Sequence, residues 1–249
     1  MDKADRLAGL LKRLNTGENP ESVKKEAKEF LAALDPKDLS LAEQKLIEAG
    51  LSYEDLRNLC CVHMEVLKGQ LENMKIKLSP GHVIHTMVAE HDMILGFLDQ
   101  LEKVNNNIQK MDRFNSDREE FKELKHIAEH LVGSEPHHKR EEDVVFPEME
   151  KKGVSAPQKI MRMEHEVLRA RKKDLLGLVS KAQVMDFNEF KSELAATAGY
   201  IMFTLREHIF KENNILYPTA IEIIDEQESW DRMKKECDTI GYCCFTPER

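Results

Sequence analysis

The sequence predicts an all-α protein, an antiparallel up-down four-helix bundle preceded by a small N-terminal helical domain. Aromatic residues make up only 6% of the chain while Ala, Leu, Glu and Lys abound, a balance that suits helices better than sheets. The 11 Gly and 8 Pro fall mostly between periodic segments. Beyond residue 82, apolar residues recur at steps of three and four along four long stretches, the spacing that gathers side chains on one face of a helix. At 249 residues there is length for a bundle and a second modest domain.

The first 78 residues read as short amphipathic helices near 3–14, 21–34, 41–49 and 53–75. Asn19-Pro20 precedes the second, Ser40 and Glu43 resemble a capping box, Gly50 closes the third and Ser52 can cap the fourth. Lys77 to Gly81 forms a linker, because Pro and Gly end helices. Four longer stretches follow, near 82–104, 117–151, 157–182 and 187–225, separated by Asn105-Asn106-Asn107, Gly153 and Val184-Met185-Asp186. Short separators of this kind suit antiparallel neighbours. Gly133, Ser134 and Pro136 predict a kink or restart in the second stretch. The expected domains are 1–78, the bundle at 82–225, and a tail at 226–249 with one more short helix; no tandem repeat is visible.

The formal net charge of -9 and pI near 5.6 disfavour nucleic acid and anionic membrane surfaces as partners, since both call for clustered Lys and Arg. No apolar run approaches the roughly 18 residues of a membrane span, and the first residues lack the apolar core of a secretory signal, so a cytoplasmic protein is expected. Five cysteines, with two adjacent pairs, make a poor disulfide framework and fit reduced thiols.

Nine of the ten histidines lie between His82 and His208. Written at three- and four-residue steps, each long stretch carries a polar residue in its apolar stripe. The first runs Ile84, Val88, His91, Leu95, Leu98. The second runs Leu124, Ile127, Leu131, His138, Glu142, Val145, Met149, with His137 and Glu141 one position beside it. The third runs Met161, His165, Leu168, Leu175, Val179, and the fourth Leu194, Ala198, Ile201, Leu205, His208, Glu212, Ile215. Burying one such polar group without a partner costs about 2–7 kcal/mol, more for a carboxylate. A divalent cation removes that cost on all four helices at once, because neutral imidazole and carboxylate are its ligands and a His/Glu pair four apart presents both on one side. Inward-facing residues of four helices build di-iron sites in this way.

These residues carry a resemblance. HHKREEDVVFPEME at 137–150 and HIFKENNILYP at 208–218 resemble the two His/Glu helices of the hemerythrin-like HHE cation-binding family, and EHDMILGFL at 90–98 and MEHEVLR at 163–169 resemble its other two. The resemblance implies a non-haem di-iron centre held by His91, by His137 with Glu141, by His165, and by His208 with Glu212. His138 and Glu142 are additional candidates, and the choice between the two second-helix pairs stays open. His85 is a further candidate ligand, against capping or surface placement for it and His82. Where oxygen-carrying hemerythrins have two histidines four apart on the third helix, this chain has Met161 and His165, which turns the expectation from oxygen transport toward sensing, iron handling or redox chemistry. The N-terminal segment resembles a helical domain of unknown function that precedes HHE domains in bacterial and archaeal proteins, and IGYCCFTPE at 240–248 resembles the stretch closing the bundle in the same proteins.

For other residues a packing role is the expectation: His126 and His130, Tyr200 and Tyr217, and the cysteines, with metal or redox chemistry at Cys60, Cys61, His63, Cys243 and Cys244 as the alternative. The expected function is an iron-binding protein that binds or senses oxygen, nitric oxide, redox state or iron, with a signalling protein as further partner. A di-iron peroxidase, nitric oxide reductase or cluster-repair enzyme, and a metal-free structural bundle, are the alternatives, and zinc or manganese are alternative metals.

Overall fold

The computed structural model describes residues 36–53, 56 and 78–247, together with Arg6, Gly9, Arg13, Ser22, Lys25 and Glu26. Among the described residues there is no strand. The helices are α1 (Pro36–Glu48), α2 (Val83–Gln109), α3 (Glu119–Val132), α4 (Glu135–Arg140), α5 (Phe146–Lys151), α6 (Ala156–Lys181), α7 (Phe187–Lys211), α8 (Tyr217–Ile223) and α9 (Gln227–Ile240). Two π-helical turns, Glu141–Val145 and Glu212–Leu216, join α4 to α5 and α7 to α8. The helices expected near 3–14, 21–34 and 53–75 fall almost wholly outside the described residues, as do Cys60, Cys61 and His63. No described helix is long and apolar enough to cross a membrane.

Several boundaries differ from the sequence expectation for identifiable reasons. The Asn105-Asn106-Asn107 separator lies inside α2: the buried positions Ile84, Met87, His91, Ile94, Leu98, Leu101, Asn105 and Ile108 alternate steps of three and four, a bundle seam that carries the helix through. Val88 and Leu95, expected on that stripe, are therefore only half-buried. Ser40 does not cap a helix. It sits within α1, its hydroxyl donating to the Pro36 carbonyl at 3.1 Å, because the helix begins at Pro36. The break after α3 falls at Gly133, where an added Cβ would lie 3.1 Å from the Glu129 carbonyl oxygen. Each π turn leads into a helix with Pro in its first turn, Pro147 and Pro218; proline lacks an N–H and clashes with the carbonyl four residues back, and the wider turn removes that conflict.

Compact packing divides the chain into two units. The first comprises residues 1–78, 142–162 and 209–232. In it α1 packs on the second π turn and α8, burying Leu39, Ala42 and Leu46, while Ser40 and Thr219 hydroxyls meet at 3.1 Å and Lys37 pairs with Glu222 at 3.0 Å. Gly50 closes α1 with a φ of 97°, a left-handed conformation that a side chain would strain.

The second unit comprises residues 79–141, 163–208 and 233–249 and holds four rods: α2, α3 with α4, α6 from residue 163, and α7 to residue 208. Their cross-links run in opposite chain directions. Gln109 donates to the Lys191 carbonyl at 2.9 Å and Arg206 to Asp99 at 2.6 Å, so α2 and α7 are antiparallel. Phe97 meets His130 while His91 meets His137, and Lys172 meets Ser134 while His165 meets His138. This is the expected up-down bundle. Its interior is apolar toward one end, with Leu98, Leu101, Leu124, Ile127, Leu168, Leu175, Leu194 and Ile201 all buried. Dense packing of these side chains fixes the rotation of each rod, and so the direction in which its histidines point.

Candidate metal centre

The seams that bury those leucines also bury His91, His137, His138, His165 and His208, each at most 3% exposed. The Nε2 atoms of His91 and His137 stand 3.0 Å apart, and those of His165 and His208 stand 2.9 Å apart. Two metal–nitrogen bonds of about 2.1 Å at a right angle subtend an edge of about 3.0 Å, so each pair has the spacing of two ligands on one cation.

The outer edge of each pair is held by a buried carboxylate. His137 Nδ1 is 2.7 Å from Glu90 Oε2, and His208 Nδ1 is 2.7 Å from Glu164 Oε2. An ionised carboxylate can only accept, so each Nδ1 carries the proton and donates, leaving the lone pair on the Nε2 that faces inward. The halves follow one plan: a Glu-His dipeptide (Glu90-His91, Glu164-His165) supplies an inward imidazole from one residue and, from the other, the carboxylate that orients the partner imidazole. The same dipeptide also occurs at Glu129-His130 and Glu207-His208, so the repeat alone does not single out the pairing, and Glu90 and Glu164 were not among the expected residues.

Between the pairs stands Glu141, 0% exposed. Its Oε2 lies 3.4 Å from His165 Nε2 and 3.6 Å from His137 Nε2, one oxygen facing both pairs. The π turn opens at Glu141, and widening the helix there rotates the residues that follow, Glu142 among them, relative to an α register. Glu142 is half-buried and belongs to the first unit, where its carbonyl accepts from Arg162 at 3.3 Å. Glu212, 1% exposed, opens the other π turn four residues after His208 on a continuous helical run, and is likewise assigned to the first unit.

His138 is placed differently from His137. Its ring stacks on His165 at 4.0 Å and 9°, and its Nε2 is 3.5 Å from the ammonium of Lys172, which also donates to Ser134 at 2.8 Å. Ring nitrogens of His138, His165 and His208 come within 4.8 Å of one another, so coordination by His138 is sterically open. Burial first, and among its neighbours the ammonium of Lys172, hold His138 well below the ordinary imidazole value, so it is neutral at pH 7. Lys172, missed in the sequence, lies on the seam four residues after Leu168.

Glu90 is the electrostatic anchor of the first half. Burial works against its charge, yet the hydrogen bond from His137, the charge of Arg140 and the Thr246 hydroxyl together hold its carboxyl down to about 2. Arg140, 1% exposed, donates to Glu90 at 2.7 and 2.5 Å, so the buried cation is matched.

The remaining candidates lie elsewhere. His85 is half-buried and joins no cluster of ligating side chains among the described residues, and His82 caps α2 by accepting from the Ile84 N–H. His126 and His130 pack beside Phe97. Burial pushes the Cys237 and Cys243 thiols up to about 12, so both are protonated fillers rather than thiolate ligands. Tyr200 lies under Arg171, and Tyr217 is fully buried.

The donor set of imidazoles and carboxylates without thiolate fits a borderline divalent cation such as iron, zinc or manganese. In comparisons with known proteins, residues 82–220 match the Hemerythrin HHE cation binding domain, and residues 7–73 match a Family of unknown function (DUF438). No curated protein matches the chain.

Proposed function

The chain belongs to the hemerythrin HHE cation-binding family, and from that premise we propose that it holds two non-haem iron ions and binds or senses a small ligand such as oxygen or nitric oxide, or the iron itself. One observation carries the two-cation reading: a single oxygen, Glu141 Oε2, lies within 3.6 Å of Nε2 atoms from both imidazole pairs. One pair accounts for one cation; a carboxylate between two pairs is the arrangement for two.

In this reading His91 and His137 would hold one iron and His165 and His208 the other, with the Glu141 carboxylate standing between the two pairs. Glu212 stays a candidate, four residues after His208 as Glu141 is four residues after His137. Met161 stands where oxygen-carrying hemerythrins have a further histidine, so in this reading one iron would have fewer nitrogen ligands than in those proteins. When bound, iron supplies redox chemistry and an open coordination position for a diatomic ligand. Glu90 and Glu164 keep Nδ1 protonated so that Nε2 faces the cation, and full burial keeps water from competing at the carboxylates.

The sensing half of the proposal is supported by the join, in one chain, of this cation-binding region to a region matching a different family, a suitable element for passing the state of the irons to a signalling partner. The test is iron analysis of protein purified without oxygen, followed by rapid mixing of the reduced form with oxygen, peroxide or nitric oxide. The proposal predicts two irons per chain, ultraviolet charge-transfer bands and one stoichiometric reaction. Repeated turnover points instead to an enzyme. Iron well below one per chain with no bands on reconstitution sinks the iron reading, and full occupancy by zinc or manganese replaces it.

A further inference from the structure

Residues 242–246 fold onto the outer side of one imidazole pair. Thr246 donates its hydroxyl to Glu90 Oε1 at 2.5 Å, and its backbone N–H donates to the Cys243 carbonyl at 3.0 Å, which closes a turn that holds the hydroxyl in place. The Tyr242 ring lies 4.6 Å from the guanidinium carbon of Arg140, the cation that neutralises Glu90. Phe245 packs edge-on against Phe97 at 5.2 Å, and Cys243 is 5% exposed. Glu90 in turn sets the ring of His137 through the 2.7 Å bond to Nδ1.

We propose that this C-terminal clasp is a positioning element of the centre: Thr246 and Tyr242 fix Glu90 and Arg140, and through Glu90 they fix His137, so the His91/His137 iron depends on the clasp while the His165/His208 iron does not. The inference rests on the two-iron reading above. Its physical content is orientation. Glu90 accepts from three groups at once, and each removes some of its freedom to rotate away from His137. Without the Thr246 hydroxyl the carboxylate has one fewer restraint and His137 Nδ1 a less defined acceptor; loss of outer partners of this kind weakens metal binding about 10–100-fold. The second pair draws its acceptor, Glu164, from α6 instead.

The test uses the full chain with Thr246→Val, which keeps shape and removes the hydroxyl, Thr246→Ser, which restores it, and a version ending at Gly241. Each is titrated anaerobically with iron(II) against a competing chelator, with circular dichroism as the check on folding. The clasp predicts two tight irons in the parent and in Thr246→Ser. In Thr246→Val it predicts one iron at parental affinity and one weakened about 10–100-fold. Truncation gives the same split more strongly; if the truncated chain does not fold, the Val and Ser variants decide. Two irons at parental affinity in Thr246→Val overturn the clasp alone, as does equal weakening of both irons with helicity retained. A parent that binds no iron overturns the two-iron reading, and the clasp with it.

Discussion

Replacing Glu90 by Gln removes one negative charge from the interior while leaving shape nearly unchanged, and the structure sets the size of the effect. The Glu90 carboxyl is held at about 2 against an ordinary value of 4.5. At about 1.4 kcal/mol per pH unit, that gap means the native state favours the charged form by about 3 kcal/mol. A second route agrees: removing one partner of a buried ion pair typically costs about 3–5 kcal/mol, here because Arg140 stays buried without its carboxylate. Urea unfolding of metal-free protein at about pH 7 is therefore expected to show Glu90→Gln less stable by about 3 kcal/mol. The pH dependence has a definite sign. A carboxyl depressed in the native state stabilises above its unfolded value of 4.5 and loses that contribution as pH falls toward about 2. By about pH 3.5 the parent has lost about 1.5 kcal/mol from this group and the variant none, so the difference between them narrows. A variant within about 0.5 kcal/mol of the parent at neutral pH, or a difference that widens on acidification, would refute the anchoring role of Glu90.

Glu141→Ala removes the oxygen that faces both pairs, and the expected result is fewer than two irons per chain by elemental analysis; two retained irons would show that the carboxylate is not shared. His137→Ala is expected to weaken one iron by more than 100-fold, whereas His138→Phe, which keeps the stack on His165, leaves the count at two; loss of iron in His138→Phe would make His138 a ligand. Removing metal with a chelator lowers the unfolding temperature in calorimetry, because free iron at 100 times its dissociation constant stabilises the native state by about 2.7 kcal/mol. An unchanged unfolding temperature would favour a metal-free polar network.

Much of this was legible in the sequence because burial and helical period constrain each other. The fourth-stretch stripe from Leu194 through His208 to Ile215 is buried at every expected position. The Met161, His165, Leu168, Leu175 series is buried too, but the seam then takes Leu178 rather than Val179. Periodicity failed where the helix stops being α. In the second stretch it favoured His138 and Glu142 on one continuous face, and the restart at Glu135 and the π turn from Glu141 break that continuity, burying Glu141 and leaving Glu142 half-exposed. Glu90, Arg140 and Lys172 were missed for another reason. Charged residues on a seam read as surface unless their partners are known, and these partners come from other rods or from the chain's end, up to 156 residues away in the case of Thr246. Pair chemistry across rods is tertiary information, which a one-dimensional pattern does not carry.

The most direct measurement is anomalous scattering at the iron edge from crystals grown without oxygen. Two iron peaks roughly 3.5–4 Å apart, flanking the Glu141 carboxylate with His91 and His137 on one and His165 and His208 on the other, are predicted. A single peak held by one imidazole pair, or no peak in this interior, would contradict a two-iron centre.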